Sequence, residues 1–152
     1  VSGLESLYQE LILDHSKRPQ GKGLADEDGR NATSHQRNPI CGDEITLRVR
    51  LTADGAVRDV TWDGAGCSIS QASASMLASL VAEDAGDDGM PQASASALID
   101  GFREALRSRG TLPLDEEVYG DAAALSGVSK FTARVKCAML AWVAFEDAMA
   151  RA

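Results

Sequence analysis

The sequence predicts an α+β fold in a single domain over residues 1–152: a small antiparallel three-stranded sheet with helices packed on one face. Three observations carry this. Ile45, Leu47, Val49 and Leu51 alternate with Thr46, Arg48, Arg50 and Thr52, the period of a half-buried strand. Asp54-Gly55 follows as a hairpin signal. Beyond Gly66 the apolar residues change to helical spacing, and no repeat or linker divides the chain. A chain of 152 residues buries about two thirds of its unfolded surface, so it needs no disulfide or metal merely to fold.

The elements follow in order. Leu4, Leu7, Leu11 and Ile12, flanked by Tyr8 and His15, predict a first helix that buries this face and stops before Pro19. Gln20 to Asn31 is polar and Gly-rich, a loop. A weakly patterned strand is expected around Ala32–Gln36, the strong strand over Ile45–Leu51, and its hairpin return over Val57–Trp62. Ile69, Met76, Leu77, Leu80 and Val81 predict a second helix, and Asp84–Pro91 a surface loop. Leu98, Phe102 and Leu106 form the stripe of a third helix ending before Gly110, after which Leu112–Gly120 reads as irregular with one short turn. From Thr132 to Ala150 a last helix is expected, buried on much of its circumference, with Trp142 and also Trp62 in the core.

Composition excludes several functions. The chain is 44% hydrophobic and 25% charged, a globular balance rather than a disordered or collagenous one. Fifteen Lys and Arg against 23 Asp and Glu give a net charge of −8, without the basic footprint of a nucleic-acid binder. The longest apolar run, Ala138–Phe145, falls far short of the roughly 18 residues of a membrane helix. Val1–Glu5 carries no basic or apolar signal region, so a cytoplasmic protein without membrane contact is expected. There cysteines stay reduced. Three of them cannot pair off completely, which points to thiol or metal chemistry.

Each cysteine sits in a distinctive setting. Cys41 lies in Asn38-Pro39-Ile40-Cys41-Gly42-Asp43, a turn just before the strongest strand. Cys67 follows Gly64-Ala65-Gly66 and precedes a helix. Cys137 lies in Arg134-Val135-Lys136-Cys137-Ala138, near the expected start of the last helix. Thiols at helix starts are favoured as thiolates by backbone N–H groups and the helix dipole, and Arg134 and Lys136 add positive charge. The plain alternative is three small buried hydrophobes, and spacings of 26 and 70 residues give no Cys-x-x-Cys pair. Tetrahedral zinc needs a fourth ligand. Asp43 is placed to supply it, or to hydrogen-bond its own turn. His15 reads as a packing residue on the first helix, and His35 as a loop residue before the motif. Arg103, Arg107 and Arg109 read as a solvated face, with a docking patch as the alternative.

These three cysteine segments, with Ile12-Leu13-Asp14-His15 and Pro19 of the first helix, resemble the zinc-binding SufU branch of the IscU-like (NifU N-terminal) iron–sulfur cluster assembly proteins. The resemblance covers nearly the whole chain. Scaffold-type members have His immediately before the third cysteine, where this chain has Lys136, as in the SufU branch. The stretch between the second and third cysteines is also long, as in that branch. Thr132 departs from the Pro of many relatives. Carried over by motif, the zinc ligands are Cys41, Asp43, Cys67 and Cys137, holding one Zn²⁺ per chain. The resemblance further implies a sulfurtransferase role: a SufS-like cysteine desulfurase docks, its histidine takes the place of Cys41 on zinc, and Cys41 accepts persulfide sulfur for downstream cluster-assembly proteins. Arg134 is expected to lower the local negative charge and hold Asp43 when that ligand moves; Lys136 reads as a surface lysine.

Three rival readings remain at this point. One is a scaffold on which an iron–sulfur cluster is built, since thiolates ligate zinc and such clusters alike. Another is a thiol enzyme using Cys41 with His35, which no acyl-transfer motif supports. The last is a purely structural zinc module.

Overall fold

The structure, a computed structural model, describes residues 3–39 and 42–152. Its order is α1 (Gly3–Lys17), β1 (Asn31–Asn38), β2 (Asp43–Leu51), β3 (Val57–Ala65), α2 (Ser68–Ala85), α3 (Gln92–Arg107), α4 (Glu116–Tyr119), a 3-10 segment (Gly120–Lys130) and α5 (Thr132–Arg151). The strands form one antiparallel sheet in the order β1-β2-β3. This is the expected α+β architecture.

The alternation of β2 does what its period implies. Ile45, Leu47 and Val49 are fully buried against the helices. Arg48 and Arg50, on the opposite face, bond to Ala25 O (2.6 Å) and to Asp59. Such a sheet is apolar on one face only, so all its helices gather there. Helix α5 packs on β1 and β2, while α2 packs on β3 and α5. Buried Phe102 stacks on Trp142, with ring centroids 4.0 Å apart and Tyr119 tilted beside them. The outer edge of β3 is occupied. Trp62 exchanges backbone bonds with Gly21 and Gly23, and Val57 does so with Met90. At the other end of the sheet, Ser34 donates to Asp147 of α5 at 2.7 Å.

Several expectations need correction. Strand β3 runs three residues beyond Trp62, to Ala65, because Glu44 and Ile45 of β2 still pair with it. Leu7 is exposed (49%) although it shares the helical spacing of half-buried Leu11 and Ile12; Leu4 falls outside the described side chains. His35 lies on β1, not in a loop, with Nδ1 2.7 Å from Thr46 Oγ1 and Nε2 2.8 Å from Glu44. Its cross-strand neighbours hold it there. His15 is buried as expected, yet it is bonded rather than merely packed. Nδ1 lies 2.7 Å from Ser75 Oγ, and Nε2 lies 2.9 Å from Asp121, which joins α1 to α2 and the 3-10 segment.

Candidate metal centre

Three places in the chain converge at the open end of the sheet. Asp43 begins β2, Cys67 caps α2, and Cys137 lies on α5. One ligand atom from each falls within 4.8 Å of the other two. Asp43 and Cys137 are buried, and Cys67 is partly exposed. Sulfurs on one tetrahedral zinc lie about 3.8 Å apart for Zn–S bonds of about 2.3 Å, so the cluster has nearly the dimensions of such a site. Two soft thiols and one carboxylate form a donor set that fits zinc. Cys41, the remaining expected ligand, lies outside the described residues.

Asp43 is held by one oxygen and offered by the other. Its Oδ1 accepts the backbone N–H of Cys67 at 2.8 Å and the hydroxyl of Ser70 at 3.2 Å. Its Oδ2 faces the Cys67 thiol at 3.9 Å. The Cys67 side chain makes no cap bond of its own at the start of α2, so the strand carboxylate anchors the entrance to that helix. Among the described residues, the bonds Oδ1 accepts come from the start of α2 rather than from Asp43's own turn, and Oδ2 is left to serve as a ligand.

The Gly64-Ala65-Gly66 motif has a steric cause. Gly64 pairs with Ile45, and a Cβ on it would lie 2.1 Å from Glu44 O. Gly66 has φ +153, and a Cβ there would lie 2.2 Å from Asp43 Oδ1. Gly64 must lack a side chain for β3 to pair with β2, and Gly66 must lack one for the carboxylate to reach Cys67.

Cys137 is not at a helix start. It is the sixth residue of α5, in the second turn, where backbone N–H groups already serve the helix. Burial, not the dipole, sets its surroundings. Arg134 and Lys136 are both exposed. The Arg134 guanidinium makes no ion pair among the described residues and lines a hollow with Tyr8, Ile12, Ile69 and Phe131. His15 and His35 stand outside the cluster. Sequence reasoning missed Ser70, whose signal was its place three residues after Cys67, within reach of the helix entrance.

The model of the NifU-like N-terminal domain matches residues 7–138. The chain belongs to the NifU-like N-terminal domain family. Among relatives in this family, it is 37% identical over 150 residues to the zinc-dependent sulfurtransferase SufU of Bacillus subtilis, covering 99% of this chain and 94% of that one. It is 39% identical over 151 residues to the iron–sulfur cluster assembly scaffold protein IscU of Streptococcus pyogenes, covering 99% and 87%. The crystal structure of a candidate cluster assembly scaffold protein for the SUF system from Fervidobacterium islandicum superposes with a TM-score of 0.73 at 28% identity, covering 97% and 99%. Among the described residues no helix is long and apolar enough to cross a membrane.

Proposed function

We propose that this NifU-like domain is a zinc-dependent sulfur acceptor in iron–sulfur cluster assembly, taking persulfide sulfur from a cysteine desulfurase on Cys41. The observation that carries the reading is the Asp43–Cys67–Cys137 cluster. With Cys41 it makes the three-thiolate, one-carboxylate set that would hold one Zn²⁺. Bound zinc supplies a Lewis acid without redox chemistry, which keeps thiols deprotonated at neutral pH.

The remaining steps belong to the chain's own residues. Ser70 and the Cys67 N–H fix Asp43, and Asp43 fixes the geometry of the thiols. The Cys41 thiolate attacks the terminal sulfur of the desulfurase persulfide. A sulfur–sulfur bond forms on Cys41 as the bond to the donor cysteine breaks, and the donor leaves as thiolate. Arg134, exposed beside Ile69, is assigned to offset the negative charge of the site and to steady Asp43 when the ligand set changes. Lys136, in place of an imidazole beside Cys137, favours this reading over a cluster scaffold. The product is sulfur for downstream assembly proteins in the cytoplasm.

The test is metal analysis of gently purified protein together with ³⁵S transfer from a desulfurase to wild type and Cys41→Ala. About one zinc per chain, and labelling of wild type but not of a folded Cys41→Ala protein, is the expected result. Undiminished labelling of the variant would overturn the role of Cys41. Stoichiometric iron with labile sulfide would replace the reading with that of a scaffold.

A further inference from the structure

A groove of about 660 Å³ runs between the end of β1, the end of α3 and the first half of α5. Its floor is apolar: Leu106, Val135, Met139, Leu140 and Val143. Its rim is basic: Arg37, Arg107, Arg109 and Lys136, all exposed. None of these four makes an ion pair among the described residues, whereas Arg103 beside them is engaged by Glu146 at 2.7 Å. In a chain of net charge −8, this is a local reversal of sign. No acidic residue in the first turn of α5 offsets it.

Two further observations set this groove apart from an ordinary solvated surface. Asn38 lines it, is only 6% exposed, and its Nδ2 has no hydrogen-bond partner. A buried amide donor without a partner is costly unless a ligand supplies an acceptor. Among the described residues, Arg109 alone combines a side chain with positive φ, +57. That strain follows the end of α3, where glycine or asparagine ordinarily stands, and among the described residues the Arg109 guanidinium gains no ion pair in return. Strained positions of this kind gather at functional surfaces.

The occupant's chemistry follows from the lining. Guanidinium groups with an amide donor match carboxylates and peptide carbonyls. The floor residues from α5 span positions 135–143, about 12 Å at 1.5 Å per residue, the reach of roughly four extended residues. An apolar floor and an acidic chain both disfavour nucleic acid. The groove reaches Pro39, two residues before Cys41.

We propose that this groove docks a short, extended, acidic segment carrying one or two apolar side chains, presented by the protein that donates sulfur to Cys41. The inference rests on the sulfur-acceptor reading. The test is the rate of sulfur transfer from a cysteine desulfurase as a function of zinc-loaded acceptor concentration, at low and raised ionic strength. The acceptors are wild type, the double variant Arg37→Glu/Arg107→Glu, and Arg109→Asn, which suits the left-handed backbone. We expect KM to rise by roughly tenfold in the double variant and its salt dependence to collapse, with kcat and zinc content unchanged. Arg109→Asn should weaken KM without lowering Tm, a separation that a purely structural role for Arg109 would not produce. Unchanged KM and salt response in both variants, with wild type accepting sulfur, would overturn the docking proposal alone. No sulfur accepted by wild type would overturn both readings. A groove-dependent complex with an RNA oligonucleotide, with KM for transfer unaffected, would overturn the peptide assignment.

Discussion

Gly66→Ala tests whether the candidate metal centre is built as described. The new Cβ would lie 2.2 Å from Asp43 Oδ1 and 2.8 Å from Ser70 Oγ. Relief requires the carboxylate to move by about 1 Å, toward ordinary van der Waals contact. That movement breaks the bonds Oδ1 accepts from Cys67 N–H at 2.8 Å and Ser70 Oγ at 3.2 Å. Bonds to a buried charged acceptor contribute about 1.5–3 kcal/mol each, so a loss on the order of 4 kcal/mol is expected. For a chain of this size that is a Tm lower by roughly 8–16 °C. Displacing the carboxylate should weaken zinc binding by roughly 10–100-fold. Scanning calorimetry, with zinc titrated against a chromophoric chelator, measures both. Gly86→Ala is the control: φ +50 with ψ −140 is a conformation kept almost to glycine, but a Cβ there meets nothing within 4 Å, so backbone strain of about 1–3 kcal/mol applies without any steric clash. If Gly66→Ala loses no more stability than Gly86→Ala and keeps its zinc affinity, Asp43 does not hold the site together.

Two other perturbations probe the support beneath the site. Fully buried Ser73 accepts the Trp142 indole N–H at 3.0 Å and donates to Ala138 O at 2.6 Å. Ser73→Ala should cost about 1–3 kcal/mol by leaving that indole unpaired; an unaltered Tm and tryptophan emission would refute this. Burial, with the charges of Asp100 and Glu104, raises the Tyr119 phenol from 10.0 to about 12. A raised folded value means stability is fully present below pH 10.0 and is lost as pH climbs toward about 12. Tyr119→Phe should flatten that alkaline loss, and phenolate absorbance near pH 10 in a folded Tyr8→Phe protein, where Tyr119 is the one phenol left, would count against it.

The legible parts of the fold are those whose pattern has one cause. The alternation of β2 admits only a half-buried strand, and Asp54-Gly55 fixes its return. The 3-10 segment was illegible because Ala122 to Leu125 are buried consecutively, which suits no helix or strand period. Leu7 carries helical spacing yet faces solvent, since α1 packs chiefly along α2 and the 3-10 segment. The partners of His15 lie 60 and 106 residues away, beyond any local pattern. Within the site, motif and chemistry brought out Asp43, Cys67 and Cys137. Cys137's place in the second turn of α5 follows from the expected start at Thr132, so the helix-start reading of its thiol failed on count rather than on pattern.

A three-stranded sheet has two edges, and each offers an unsatisfied row of backbone donors and acceptors to any passing strand. Here the outer row of β3 is already spent at both ends. Trp62 gives its N–H to Gly21 and its carbonyl to Gly23, and Val57 exchanges both groups with Met90. A second copy trying to extend the sheet from that side would have to displace two stretches of its neighbour's own chain. The bonds that tie down the Gln20–Gly23 loop thereby also close part of that edge of a small, apolar-faced sheet to strand addition, which acidic net charge alone does not do.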